Sequence, residues 1–154
     1  MKRPYTEKTK NLTRSHNYRD MYFAHNKGIT IPKTPIKGLY FCPYCGKPLW
    51  NKQKIVIDHI YAIRRVQYTK HLREHFKSLH DGVNDISNLV ACCRRCNGRK
   101  GKKGGAWVFL AHYGVYFMPF VRLLAALCIM VSAALAIHVI LSIEQYGCYC
   151  CHGK

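Results

Sequence analysis

The sequence predicts an α+β fold: a small zinc-stabilised domain, preceded by a basic arm and followed by one apolar helix. Three observations predict it. Two CxxC pairs, Cys42–Cys45 and Cys93–Cys96, can place four thiolates around one tetrahedral ion. Between them, the β-branched run KIVIDHI and the short apolar stretch beginning at Asn88 read as two strands. Beyond the second pair, residues 123–143 run 21 positions without a charge.

The elements follow in order. Residues 1–37 are polar and basic, with Lys2, Arg3, Lys8, Lys10, Arg14 and Arg19. They read as a flexible arm, either a disordered tail or a DNA-contacting segment, with a short helix allowed over 17–24. Residues 38–104 form the domain. Pro43, Gly46 and Pro48 turn the first knuckle, and 54–60 is a strand. Residues 61–79 are basic and partly helical, and Asp81-Gly82 with Asn84-Asp85 marks a loop. A second strand covers 88–92. The segment RRCNGRKGKK then starts as a helical turn and gives way to Gly and Lys. His71 and His75 are four apart among Lys70, Arg73 and Lys77, which reads as a solvated basic face.

The net charge is +18, and its distribution is uneven. Up to Gly104 there are 23 Lys and Arg against 6 Asp and Glu, a net +17, whereas Arg122, Lys154 and Glu144 are the only charges afterwards. So dense a cation excess suits a polyanion, because each neutralised phosphate releases condensed counterions; anionic lipid is the alternative. Met1–Lys10 has no apolar stretch of the kind a secretory signal needs. The paired cysteine spacing therefore reads as metal binding in a reducing compartment, and the expected ligands are Cys42, Cys45, Cys93 and Cys96 around a structural zinc. The CxxC register selects Cys93 over its neighbour Cys92. No small-molecule cofactor is expected.

CPYCGKPL, then VIDHI, then SNLVACCRRCNGRKG together resemble the HNH nuclease superfamily, in the subgroup framed by two CxxC pairs, over about residues 39–103. The resemblance implies a ββα-metal core in which the first strand carries Asp58 and His59, the loop brings Asn88, and the helix after the second knuckle carries Asn97. The name-giving positions then fall on His59, Asn88 and Asn97, the last being Asn where many members have His.

Hydrolysis of a phosphodiester explains these residue types on chemical grounds. A neutral imidazole whose proton affinity lies near working pH suits a general base, the role expected of His59. Asp58 and the Asn97 carbonyl suit Mg2+ or another hard divalent cation that keeps open positions. Asn88 is expected to brace the loop by bonding backbone. Adjacent strand residues point to opposite faces, so Asp58 and His59 are expected where the strand breaks. Arg94, Arg95, Arg99, Lys100, Lys102 and Lys103 flank this region and are expected to contact DNA phosphates, positioning a duplex without reading its sequence.

A helix over 123–143 would be about 31 Å long, the thickness of a bilayer's hydrocarbon core. Residues 105–122 read as a juxtamembrane segment, with Trp107, Tyr113, Tyr116 and Phe117 as interfacial aromatics. Its part over 106–121 is either interfacial or an unsuccessful first span. Residues 144–154 form a Cys-rich tail, in which Cys148, Cys150 and Cys151 are open to disulfides, lipid attachment or metal binding with His152. The charge asymmetry predicts a single-pass membrane protein with the basic domain in the cytoplasm.

Overall fold

The computed structural model describes residues 11–30, 32–33 and 37–147. Lys2, Arg3, Lys8 and Lys10 of the expected arm, and Cys148, Cys150, Cys151 and His152 of the tail, lie outside the described residues. The chain divides into two compact units at Pro119/Phe120.

The first unit is a mixed domain with very short strands. Helix α1 covers Tyr18–His25. Strands β1 (Tyr40–Phe41) and β2 (Pro48–Leu49) pair antiparallel across the first knuckle. Its turn closes through the Gly46 N–H, which donates to the Cys42 carbonyl at 2.8 Å. Gly46 sits at φ +67, and a Cβ there would collide with the backbone of Met118, so two separate demands require glycine.

Strand β3 (Val56–His59) pairs antiparallel with β4 (Leu89–Cys92), with Ile57 opposite Ala91 and His59 opposite Leu89. Between them lie α2 (Ile63–Tyr68) and α3 (Lys70–Ser78), separated at Thr69 by extended backbone. Helix α4 (Arg94–Lys100) follows β4 at once. The Cys93 sulfur accepts from the Cys96 N–H at its start, and Gly101 ends it at φ +50. The ββα order that the resemblance implied is thus present as β3, β4 and α4.

Two apolar clusters hold this unit together. Ile55, Ile57, Ile60, Leu89, Ala91 and Cys92 pack with Tyr22, Tyr40, Leu49 and Ala111. Leu12, Val66, Phe76 and Val83 form the second cluster. His71 and His75 are exposed on α3, as their basic surroundings predicted.

The N-terminal expectation is corrected over 11–30. Leu12 is fully buried and its carbonyl accepts from Gln67 Nε2 at 2.9 Å. Tyr22 enters the main core and its hydroxyl accepts from the Ala91 N–H at 3.2 Å. Arg19 donates to the carbonyls of Ile55 and Lys52. The short helix foreseen over 17–24 forms, but as part of the domain. Its apolar residues are gathered in one short run, Met21–Ala24, with polar and charged residues on both sides, too brief to give a periodic signal.

Helix α5 runs over Ala106–Gly147. Within the first unit, Trp107 stacks edge-on against Tyr44 with centroids 5.2 Å apart, and Ala111 is buried. A Cβ on Gly114 would collide with the Pro43 carbonyl. The segment expected as a juxtamembrane stretch therefore packs on the first knuckle through its small residues. In the second unit, every residue from Phe120 to Leu141 is exposed, Ile129 by 69%.

This close approach makes Gly114→Ala diagnostic. Helix propensity alone favours Ala over Gly by about 1 kcal/mol, whereas overpacking costs about 1–3 kcal/mol. Urea unfolding followed by Trp107 emission, in a Trp50→Phe background, should show Gly114→Ala less stable than its parent. Equal or greater stability would mean that the helix does not seat on Pro43.

Candidate functional site

The four expected thiols converge. The sulfurs of Cys42, Cys45, Cys93 and Cys96 all lie within 4.8 Å of one another, and Cys45 and Cys93 are 3.9 Å apart. A tetrahedron with ~2.3 Å zinc–sulfur bonds puts its sulfurs about 3.8 Å apart, so this is a zinc-binding arrangement needing little adjustment. All four positions are thiol, which leaves no open site for a water nucleophile. Burial pushes the Cys42 thiol up to about 12 and raises that of Cys96. Burial also raises Cys93, but hydrogen bonds led by the Cys96 N–H win and hold it below its ordinary value. The two thiols raised by burial, Cys42 and Cys96, gain most from a cation that offsets the thiolate charge. Cys92 is fully buried on β4, opposite Val56, outside this group.

At the end of β3 the burial alternates: Ile57 and His59 are buried, while Val56 and Asp58 are less so. Asp58 and His59 therefore leave the strand on opposite faces, and the chain bends immediately afterwards. The Asp58 side chain meets two donors through one oxygen. Its Oδ2 accepts from the Tyr44 hydroxyl at 3.0 Å and lies 2.9 Å from Lys100 Nζ. Oδ1 has no hydrogen-bond partner among the described residues.

Lys100 corrects an expectation. It is 0% exposed, and besides Asp58 it donates to the His59 carbonyl at 2.7 Å. It cannot reach a phosphate; it ties α4 to the end of β3. Arg94, Arg95, Arg99, Lys102 and Lys103 are exposed. Cys96 and Lys100 are four apart on α4 and share its buried face, a placement that a run of six similar cations concealed.

His59 is 3% exposed. Its Nε2 lies 3.3 Å from Asn84 Oδ1, and the Tyr18 ring sits 5.2 Å away, tilted by 34°. Burial pushes the imidazole below its ordinary pKa, outweighing the Asn84 contact that works the other way. Asn88 braces the loop: its Oδ1 accepts from the Tyr61 N–H at 2.8 Å, and its Nδ2 donates to the Val83 carbonyl at 2.8 Å. Its own carbonyl accepts from the Ile60 N–H at 2.8 Å, so the turn after His59 is fastened on both sides.

Asn97 is half-buried on α4, three residues before Lys100 and on the same side of the helix. Its side-chain amide has no hydrogen-bond partner among the described residues. A carboxylate oxygen and an amide carbonyl are each donors of the kind a hard divalent ion takes, although the Lys100 ammonium already offsets the Asp58 charge. Tyr44, Asn84 and Tyr18 were not foreseen as site residues. Tyr44 occupies one of the two spacer positions between Cys42 and Cys45, and Asn84 reads as an ordinary turn residue.

Residues 42–103 match the family model described as HNH endonuclease. No curated protein and no solved structure matches the chain. The matched stretch contains the four thiols, β3, β4 and α4, so it spans the site just described.

Two measurements test this arrangement. The purified chain should hold about one tightly bound zinc, lost in Cys96→Ser; metal analysis reads this directly. Lys100→Met strands the Asp58 carboxylate and should cost roughly 3–5 kcal/mol in chemical unfolding. Adding Asp58→Asn should recover much of that loss. If Lys100 instead contacted phosphate, its substitution would leave stability unchanged.

Proposed function

Starting from an HNH domain over residues 42–103, we propose that this chain is a membrane-tethered endonuclease that hydrolyses DNA phosphodiester bonds. The observation that carries the reading is the ββα unit. It bears Asp58 and His59 on β3, Asn88 at the foot of β4 and Asn97 on α4, all inside the family match.

In this reading His59 takes a proton from a water molecule, whose oxygen forms a bond to phosphorus as the bond to the 3′ oxygen breaks. Asn88 holds the turn that aims the imidazole. Asp58 and Asn97 would hold Mg2+ or a similar cation, which when bound neutralises the phosphate and the departing oxygen. The zinc held by the four thiols is structural. Arg94, Arg95, Arg99, Lys102 and Lys103 would meet the sugar–phosphate backbone, giving salt-sensitive binding with little base preference.

The tether rests on α5. It is the one described helix long and apolar enough to cross a membrane, and its exposed apolar run exceeds what soluble monomers present. The hydroxyls of Ser132 and Ser142 donate to the carbonyls of Cys128 and His138 at 2.9 Å. Their polar atoms are thus satisfied within the helix, as a lipid environment demands. In this reading Lys102, Lys103 and Arg122, close before the span, would keep the nuclease domain on the cytoplasmic side by the positive-inside rule.

A second reading has a specific observation in its favour. Lys100 occupies the Asp58 carboxylate, and His59 is almost wholly buried, as in a zinc module that binds nucleic acid at a membrane without turnover. One preparation separates the two. The chain should stay in the membrane pellet on alkaline carbonate extraction. After detergent solubilisation it should nick plasmid DNA with Mg2+ or Mn2+, while His59→Ala loses at least about 10²-fold. DNA binding without nicking by either protein would favour the inert module, and release by carbonate would refute the span.

A further inference from the structure

We propose that Asn84 is a positioning residue for His59: its Oδ1 accepts from the imidazole Nε2–H, holding the ring in the tautomer that leaves the Nδ1 lone pair free. The consequence for catalysis rests on the hydrolytic reading above; the geometry does not.

The argument begins with the amide. Asn84 is buried, and its Nδ2 donates to the Thr13 carbonyl at 2.7 Å. Its Oδ1 accepts from the Ser15 N–H at 3.1 Å. A carbonyl only accepts and a backbone N–H only donates, so these two partners fix which end of the amide is oxygen. The atom facing His59 Nε2 at 3.3 Å is therefore an acceptor, and the ring nitrogen opposite it must carry a hydrogen. A neutral imidazole has one N–H, which assigns the lone pair to Nδ1. Nδ1 itself has no hydrogen-bond partner among the described residues.

Asn84 thereby does what Asn88 does not. Asn88 bonds only backbone and fixes the turn, whereas Asn84 touches the imidazole itself. The Tyr18 ring 5.2 Å away limits rotation from a second side. Thr13, Ser15 and Tyr18 all precede the family-matched stretch. The orientation of the proposed base is consequently set by residues outside the matched domain, delivered through Asn84.

The test is heteronuclear NMR of the zinc-loaded full chain in detergent, with labelled histidine, at a pH alkaline enough for a neutral ring. The His59 signals, identified by their loss in His59→Ala, should show the Nε2–H tautomer. Asn84→Ala should give a tautomer mixture and lower kcat by about 10²-fold with KM for DNA little changed. Asn84→Asp, which keeps the acceptor and gives up the bond to Thr13, should retain Nε2–H and recover most of the rate. An Nδ1–H tautomer in the unaltered protein overturns the proposal whether or not any variant folds. So does an unchanged tautomer in Asn84→Ala. If the unaltered protein never nicks DNA, the hydrolytic reading fails while the tautomer still decides the role of Asn84.

Discussion

The four-thiol frame is the constraint from which the site follows. Cys42 and Cys45 belong to the β1–β2 knuckle, and Cys93 and Cys96 open helix α4, 48 residues apart between Cys45 and Cys93. The intervening chain closes a long loop, whose entropy must be offset before any contact within it is useful. The apolar clusters that share this burden are small, and several of their members are tyrosine, cysteine or alanine. A cation bound by all four thiols offsets that cost in one place and at one geometry. It fixes the start of α4 beside the first knuckle. Every residue that α4 contributes then falls at a defined height along the end of β3.

What α4 contributes first is Lys100. Its buried ammonium touches the Asp58 carboxylate and the His59 carbonyl together, so one side chain measures the distance between helix and strand. A buried ion pair is weak evidence of net stability, because desolvation consumes much of the Coulomb gain. Its value here is specificity: one side chain engages a carboxylate on β3 and the carbonyl of the next residue together. The Tyr44 hydroxyl completes the arrangement from the knuckle side. Consequently the Asp58 carboxylate reports on the frame directly. Loss of the metal would disturb Tyr44 through its neighbours Cys42 and Cys45, and Lys100 through Cys96, with Asp58 between them.

The legible part of this design is what spacing encodes. Two CxxC registers identified the thiols and excluded Cys92, β-branched alternation located β3, and the uncharged run marked the apolar helix. Asn88 was legible through the resemblance to the HNH pattern, which implied it as the loop asparagine, and an amide's capacity to bond backbone implied its bracing role. Other features depend on which face of an element turns inward, and composition does not record that. Lys100 looks like its five basic neighbours until Cys96 fixes the rotation of α4. Leu12 is a lone apolar residue and Tyr22 one of a run of four, Met21–Ala24, in a basic stretch, so which of them is buried follows only from clusters assembled elsewhere. Asp58 and His59 were expected at a break in the strand. Instead β3 persists through His59, and the bend follows it, because Asn88 fastens Ile60 and Tyr61 from the other side.

Helix α5 shows one element meeting two different demands along its length. In the first unit it carries Ala111 and Gly114 where backbone comes close, and Trp107 where an aromatic partner waits. Small residues permit approach and large ones fill the space left, so this stretch has a defined partner face. Beyond Pro119 that pattern stops. Apolar residues occupy all sides and none from Phe120 to Leu141 is covered, which is the pattern of a helix surrounded by something apolar in every direction. Proline at the junction removes one backbone donor and ends the i to i−4 ladder for a single step. The fold division falls at the same place. Sequence, backbone chemistry and packing thus change together at one residue. That coincidence is what a chain needs if one part answers to a protein core and the next to a different solvent.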